Sequence, residues 1–184
     1  MKDDAKKRSR AVALLSGGLD STVAAALAAE TFRLVRGLFY DYGQHAARRE
    51  YAAAGRVAER YGISLERIDL PWMGRFSESV LIEGKGEPPD PSSRTGKEDS
   101  GVPAEWVENR NGVFAAVGAS IAASTGCSVI VTGFNAEEAE SFPDNSEGYL
   151  DALNTELAFG TSIGVEIVSP TIRMTKPEIV REGL

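Results

Sequence analysis

Between Ala11 and Glu30 a short apolar run meets Ser16-Gly17-Gly18-Leu19-Asp20-Ser21, and a long alanine-rich segment follows. That order predicts a strand, a glycine turn and the start of a helix, which together make an anion site. Two adjacent glycines let the backbone take positive φ and bring several N–H groups close to a ligand. Asp20 or Ser21 is expected to cap the helix, whose positive end then points at the same spot. A phosphate or pyrophosphate is the natural occupant.

The turn is not a Walker loop, because no Gly-Lys-Ser/Thr follows it, and it is not the dinucleotide fingerprint, because the third glycine is missing. What remains is S-G-G-x-D-S. The chain of 184 residues is long enough for one self-sufficient core, burying roughly 70% of its unfolded surface. Its net charge of −7 argues against direct nucleic acid binding, so small anions must be held by local donors. Met1 to Arg10 is charged and the apolar run after it is short, so neither a signal peptide nor a membrane span is expected and the chain reads as cytoplasmic. The single cysteine, Cys127, excludes an internal disulfide and cannot alone form a zinc site; it reads as a small apolar residue at the entry to a strand.

Apolar runs at Leu34 to Tyr40, Ile63 to Leu70, Ser128 to Phe134 and Val165 to Val168 predict further strands. Helices are expected over Gln44 to Tyr61, stopped by Gly62, over Trp72 to Ile82, Gly112 to Thr125 and Tyr149 to Phe159, with a polar turn from Asn135 to Ser146. Residues 83–105 are too rich in Pro, Gly, Ser and charge to pack a core and read as a long loop. The alternation predicts one doubly wound domain over residues 1–184, a mainly parallel five-stranded sheet with helices on both faces. Ligands bind such sheets beyond the carboxyl ends of the strands, which puts Ser16-Gly17-Gly18, Asp41 to Gln44, and Gly133-Phe134-Asn135 on one rim.

Two cations look misplaced unless an anion is near. Arg110 precedes an apolar helix, and Lys176 sits in the first turn of a helix opened by Thr175, Pro177 and Glu178 in a capping-box pattern. A phosphate would resolve the conflict at Lys176, where a screened surface lysine is the alternative, and for Arg110 the alternative is a solvated side chain. Asp20 either caps its helix or holds Mg²⁺ against a leaving pyrophosphate. Asn109 reads as a cap or turn residue, and His45, the only histidine, reads as exposed and not catalytic.

S-G-G-L-D-S resembles the pyrophosphate loop of the PP-loop ATP pyrophosphatases, the adenine nucleotide alpha hydrolase-like fold. With FYDYGQ (Phe39 to Gln44), NRNGVF (Asn109 to Phe114), VTGFNAEE (Val131 to Glu138), SFPDN (Ser141 to Asn145) and PTIRMTKPEIV (Pro170 to Val180), the chain resembles the 7-cyano-7-deazaguanine synthases over nearly the whole catalytic domain. The resemblance implies ATP and Mg²⁺ as cofactors and a deazapurine carboxylate and ammonia as small-molecule partners. It also implies a homodimer. Leu15, Ser16, Gly17, Gly18, Asp20, Ser21 and Thr22 are then the expected nucleotide-binding set. Asp20, Arg110 and Lys176 are the expected catalytic groups. Gln44, Asn111, Asn135, Glu137 and Asp144 are expected to bind the acceptor, with Asn135, Glu137 and Asp144 reading its base edge and Phe134, Tyr42 or Phe142 stacking on it. The family's four-cysteine zinc segment is not seen before Leu184, so zinc is not expected here, and the chain is a fragment or a lineage without the metal. Asn145 stands where the family usually has cysteine, and Glu108 where it has proline. An adenylating amide ligase on another small acid, or a non-catalytic nucleotide-binding module, are the alternatives.

Overall fold

Side-chain alternation in the strands decides how this sheet is covered. Val12, Leu38, Tyr40, Ile130 and Ile167 enter one buried cluster, whereas their neighbours Ala11, Ala13, Phe39, Val129 and Val131 enter the other. Both faces of the sheet are therefore apolar and both need helices. The computed structural model describes residues 9–86 and 103–184. Its strands are β1 (Arg10–Leu14), β2 (Arg33–Asp41), β3 (Ser64–Asp69), β4 (Val129–Val131) and β5 (Glu166–Val168). They form one five-stranded sheet in the order β3-β2-β1-β4-β5, and every pairing is parallel.

Helices α1 (Leu19–Thr31) and α2 (Ala47–Tyr61) cover one face through small side chains: Ala24, Ala25 and Ala28 from the first, Ala54 and Ala58 from the second. Alanines on both sides bring backbone close to backbone, which suits a loop that must be gripped between them. The short α3 (Pro71–Phe76) follows β3. The other face carries α4 (Arg110–Ser124) and α6 (Glu147–Gly160), with the four-residue α5 (Ala136–Ala139) and a 3₁₀ turn (Pro143–Asn145) before the latter, and the described chain closes with α7 (Lys176–Glu182). Asn154 on α6 spans the outer edge of β5, donating to Ile167 O at 2.9 Å and accepting from Ile167 N at 2.7 Å. That amide pair occupies an edge that would otherwise present free backbone groups.

Three expectations change. The helix expected over Trp72 to Ile82 ends at Phe76, because Ser77 and Ser79 turn their hydroxyls onto Ser79 N and Leu81 N and give the backbone a local alternative to the helix. The polar turn from Asn135 to Ser146 contains α5 and the 3₁₀ turn, capped by Asn135 and followed by Ser146 as the cap of α6. The helix expected from Gln44 starts at Ala47, and Gly62 closes it at φ 62° as foreseen. Of the loop expected at 83–105, most lies outside the described residues.

The chain leaves β1 for β2 and β3 on one side and returns to β4 and β5 on the other. The crevice between the carboxyl ends of β1 and β4 is thus the switch point of the fold. Gly133, just after β4, seats the start of α1 there: a Cβ on it would lie 2.7 Å from Asp20 C and from Ser21 N. Those are backbone atoms and cannot swing aside. Gly133→Ala is expected to push the first turn of α1 outward and to lower stability by about 1–3 kcal/mol, measured by urea unfolding of the two chains.

Candidate functional site

Gly17 follows the end of β1 at φ 75°, and a Cβ there would meet Glu50 O at 2.4 Å. The loop is therefore pressed onto the first turns of α2, a position only glycine tolerates. Gly18 is the N-cap of α1 and no side chain caps it. This corrects the expectation for Asp20 and Ser21. Ser21 and Thr22 lie inside the helix and turn their hydroxyls back to Gly18 O, at 3.1 and 2.8 Å. Ser16 Oγ accepts from Gly18 N at 3.3 Å and lies 3.0 Å from Ser21 Oγ. With no carboxylate over it, the positive end of α1 remains available to an anion.

Asp20 is turned instead toward α7. Lys176 Nζ donates to Asp20 Oδ2 at 2.5 Å and lies 3.0 Å from Glu138 Oε1. Two carboxylates thus settle the misplaced cation for which a phosphate was expected. Burial alone would depress the Lys176 ammonium, but the hydrogen bonds to Asp20 and Glu138 outweigh it and hold the group above its ordinary value. Asp20 Oδ1 is buried and has no partner.

Glu137, expected on the acceptor, points elsewhere: its Oε2 accepts from Lys176 N at 3.0 Å and ties α5 to α7. Its neighbour Glu138 is the carboxylate that faces the site. Sequence reasoning missed it because two adjacent glutamates on a one-turn helix carry no periodicity that separates inside from outside. The capping relation Asn135 to Glu138 was the available signal, since Asn135 Oδ1 accepts from Glu138 N at 2.9 Å.

A cleft of about 580 Å³ opens between the loop and α4. Leu15, Ser16, Asp20 and Ser21 line it, and so do Gln44, Arg110, Asn111 and Asn135. Gly17, Gly18, Thr22, Glu137, Asp144 and Lys176 are not among the residues that line it. The far side is aromatic. Tyr40 and Phe114 stack at 4.2 Å, Tyr42 packs against Phe114, and Phe142, stacked on Trp106 at 6.1 Å, closes the end. Arg110 Nη1 donates to Tyr42 Oη at 3.2 Å, and its guanidinium leans on the same ring. Burial raises the Tyr42 phenol, and Arg110 opposes that shift.

Asn109 adopts φ 50° as the N-cap of α4, a left-handed position that asparagine tolerates. Asn111 donates to Asp144 O at 3.2 Å and so holds the 3₁₀ turn against α4, while within the turn Asn145 donates to Asp144 Oδ1 at 3.3 Å. Burial raises the Asp144 carboxyl, with Arg110 pulling it back. Gln44 lines the cleft with its amide already engaged: Oε1 accepts from Tyr42 N, and Nε2 donates to Tyr40 O and Glu50 Oε2. Its visible work is to shape the turn between β2 and α2. His45 is exposed and precedes α2. Phe134, Tyr42 and Cys127 are buried.

A roomier hollow of about 780 Å³ lies at the β3 edge, where Arg67 is spent on Asp41 and Asp69, and contains none of the loop residues. Among the described residues no three His, Cys, Asp or Glu side chains gather as a metal cage. No described helix is long and apolar enough to cross a membrane. Lys176→Met would leave Asp20 and Glu138 facing each other without a counter-charge. It is expected to cost about 1–2 kcal/mol. Millimolar Mg²⁺ is expected to recover part of that loss in thermal unfolding of the variant while leaving the parent unmoved.

The comparisons with known proteins agree with this geometry. The family model described as "Queuosine biosynthesis protein QueC" matches residues 10–184. The 7-cyano-7-deazaguanine synthase of Methanothermobacter thermautotrophicus is 44% identical over 176 residues, covering 95% of this chain and 78% of that protein. Among solved structures, the U34-tRNA thiolase NcsA of Methanococcus maripaludis superposes with a TM-score of 0.62 at 17% identity, over 100% of this chain and 59% of that one. A 4-thiouridine synthetase in complex with RNA and ATP gives 0.57 at 20% identity, over 95% of this chain and 39% of that one. Those two show the shared PP-loop fold. The model spans almost the whole chain and the archaeal synthase matches over most of its own length, so the chain belongs to the QueC family of queuosine biosynthesis proteins.

Proposed function

We propose that this domain uses Mg·ATP to adenylate 7-carboxy-7-deazaguanine and ammonia to convert it to 7-cyano-7-deazaguanine. The observation that carries the reading is the pairing, at the switch point of the sheet, of an uncapped helix start with a carboxylate and a lysine brought in from α7. A carboxylate oxygen of the acceptor attacks the α-phosphorus and pyrophosphate leaves. Ammonia then attacks the acyl carbon, giving the amide and AMP after loss of a proton. The amide oxygen attacks the α-phosphorus of a second ATP with release of a second pyrophosphate, and departure of AMP with loss of both N–H protons leaves the nitrile. Placement and charge stabilisation are the protein's part.

The backbone N–H groups from Ser16 to Ser21 and the hydroxyls of Ser16, Ser21 and Thr22 suit the β- and γ-phosphates. Lys176 neutralises the charge that builds on the leaving pyrophosphate, for which it must release a carboxylate. Magnesium ordinarily takes one or two carboxylates together with phosphate and water oxygens. Asp20, with a buried and unpartnered Oδ1, fits that set, and Glu138 supplies a second carboxylate beside it. The ion would supply Lewis-acid charge at the phosphates. Arg110, displayed on the aromatic wall, is matched to the acceptor carboxylate. Phe142 and Tyr42 offer faces for a planar base, and Asn111 and Asp144 order the turn that shapes its pocket. The reading assigns the domain to the cytoplasm and to a homodimer, the latter measurable by light scattering.

The test is pyrophosphate release from Mg·ATP with and without 7-carboxy-7-deazaguanine and ammonium, with mass spectrometry of the product. Acceptor-dependent pyrophosphate and the nitrile are expected. Asn145 on the cleft wall favours one other outcome, the same adenylation on a different small acid, which would show as ATP binding with no turnover of the deazapurine. Asp20→Asn is expected to lower turnover at least about a hundredfold in a chain that still folds, with a stability loss of no more than about 1–2 kcal/mol from the weakened Lys176 pair. Normal turnover would remove Asp20 from the chemistry.

A further inference from the structure

Asn135 is fully buried at 0% exposure yet forms part of the cleft wall. The two ends of its amide are treated unequally: Oδ1 caps α5 by accepting from Glu138 N, whereas Nδ2 has no hydrogen-bond partner. The assignment is fixed by Glu138 N, because a flipped amide would set donor against donor. Nor can the residue turn away. The carbonyl just before it, Phe134 O, accepts from Ser169 Oγ at 2.8 Å and from Thr171 Oγ1 at 2.9 Å. Capping alone does not explain an amide here, since the acceptor-only carboxylate of an Asp would cap equally and leave no buried donor without a partner.

The surroundings say what the donor is for. Glu138, which Asn135 caps, reaches Lys176, and Lys176 reaches Asp20. Two residues before Asn135, Gly133 lies against the backbone of Asp20 and Ser21. Among the described residues the buried side-chain atoms without partners are Asp20 Oδ1 and Asn135 Nδ2, an acceptor and a donor in the same site. An acceptor that lacks a cation and a donor that lacks an oxygen are together the complement of a cation-bound phosphoryl group.

We propose that Asn135 is a catalytic residue of the nucleotide site, its Nδ2 donating to a phosphoryl oxygen of the bound nucleotide and not to the base edge of the acceptor. This rests on the ATP half of the function proposed above.

Asn135→Asp keeps the shape and the capping oxygen and removes the donor; Asn135→Ser keeps a capping oxygen without adding charge. Calorimetric titration with the magnesium complex of α,β-methylene ATP is expected to show affinity about ten- to a hundredfold weaker in both variants. Affinity for 7-carboxy-7-deazaguanine is expected to stay at the parent value and both variants to remain folded, with a lower midpoint in Asn135→Asp because it puts a carboxylate at a position with 0% exposure. An Asn135→Ser chain that binds the nucleotide analogue as the parent does overturns the proposal, even if Asn135→Asp is impaired, because the effect is then one of charge alone. Weakened acceptor binding with unchanged nucleotide binding also overturns it. A parent chain that fails to bind the analogue defeats the ATP reading itself and the proposal with it. A parent that binds the analogue but makes no nitrile defeats only the choice of acceptor, and the variants still report on Asn135.

Discussion

The ammonium of Lys176 is the one charge on which the site's geometry depends. It meets Asp20, 156 positions earlier, and Glu138, so a single side chain links the starts of α1, α5 and α7. A surface ion pair contributes little. This one is half-buried, is shared by two carboxylates and is backed by Glu137 on the Lys176 amide. It fixes the orientation of Asp20 with no ligand bound, and it spares α1 the carboxylate cap that would compete with a phosphate. On the proposed function the same pairing implies an exchange of partners, since a bound nucleotide and its cation would take over the charges that Lys176, Asp20 and Glu138 satisfy among themselves.

Around that link the fold works by close approach. Gly17 lies on α2 and Gly133 on α1, both at distances that leave no room for a Cβ, while alanines from α1 and α2 meet Ala11 and Ala13 of β1. The loop is consequently held from below by the sheet and from two sides by backbone. A loop held this way loses little entropy when an anion arrives, which is the physical advantage of building the site on packed elements. The opposite wall is built differently, from Phe114 stacked on Tyr40 and tilted against Tyr42, with Arg110 over the Tyr42 ring. One side of the cleft is thus polar backbone and the other aromatic, a division suited to a phosphate chain on one hand and a planar base on the other.

Much of this was legible in the residues. Apolar runs gave the strands, and the glycine pair between strand and helix placed the loop, because periodicity and backbone freedom are local properties. The less legible parts were those in which a local rule met a tertiary competitor. Asp20 has the chemistry of a cap, yet Gly18 occupies that position and Lys176 draws the carboxylate away. Glu137 and Glu138 are indistinguishable as letters, yet one binds a backbone amide and the other faces the cleft. Gln44 has the chemistry of a substrate contact, yet its amide is consumed by the turn it closes.

By itself the sequence determined the class of fold, the position of the anion loop and the family, since these follow from short-range patterns and from motifs in a set order. Tertiary structure decided which polar atoms are spent and which remain free. That choice depends on side chains far apart in the chain competing for the same partners, and Asp20 Oδ1 and Asn135 Nδ2 emerge from it only when α1, α5 and α7 are packed together.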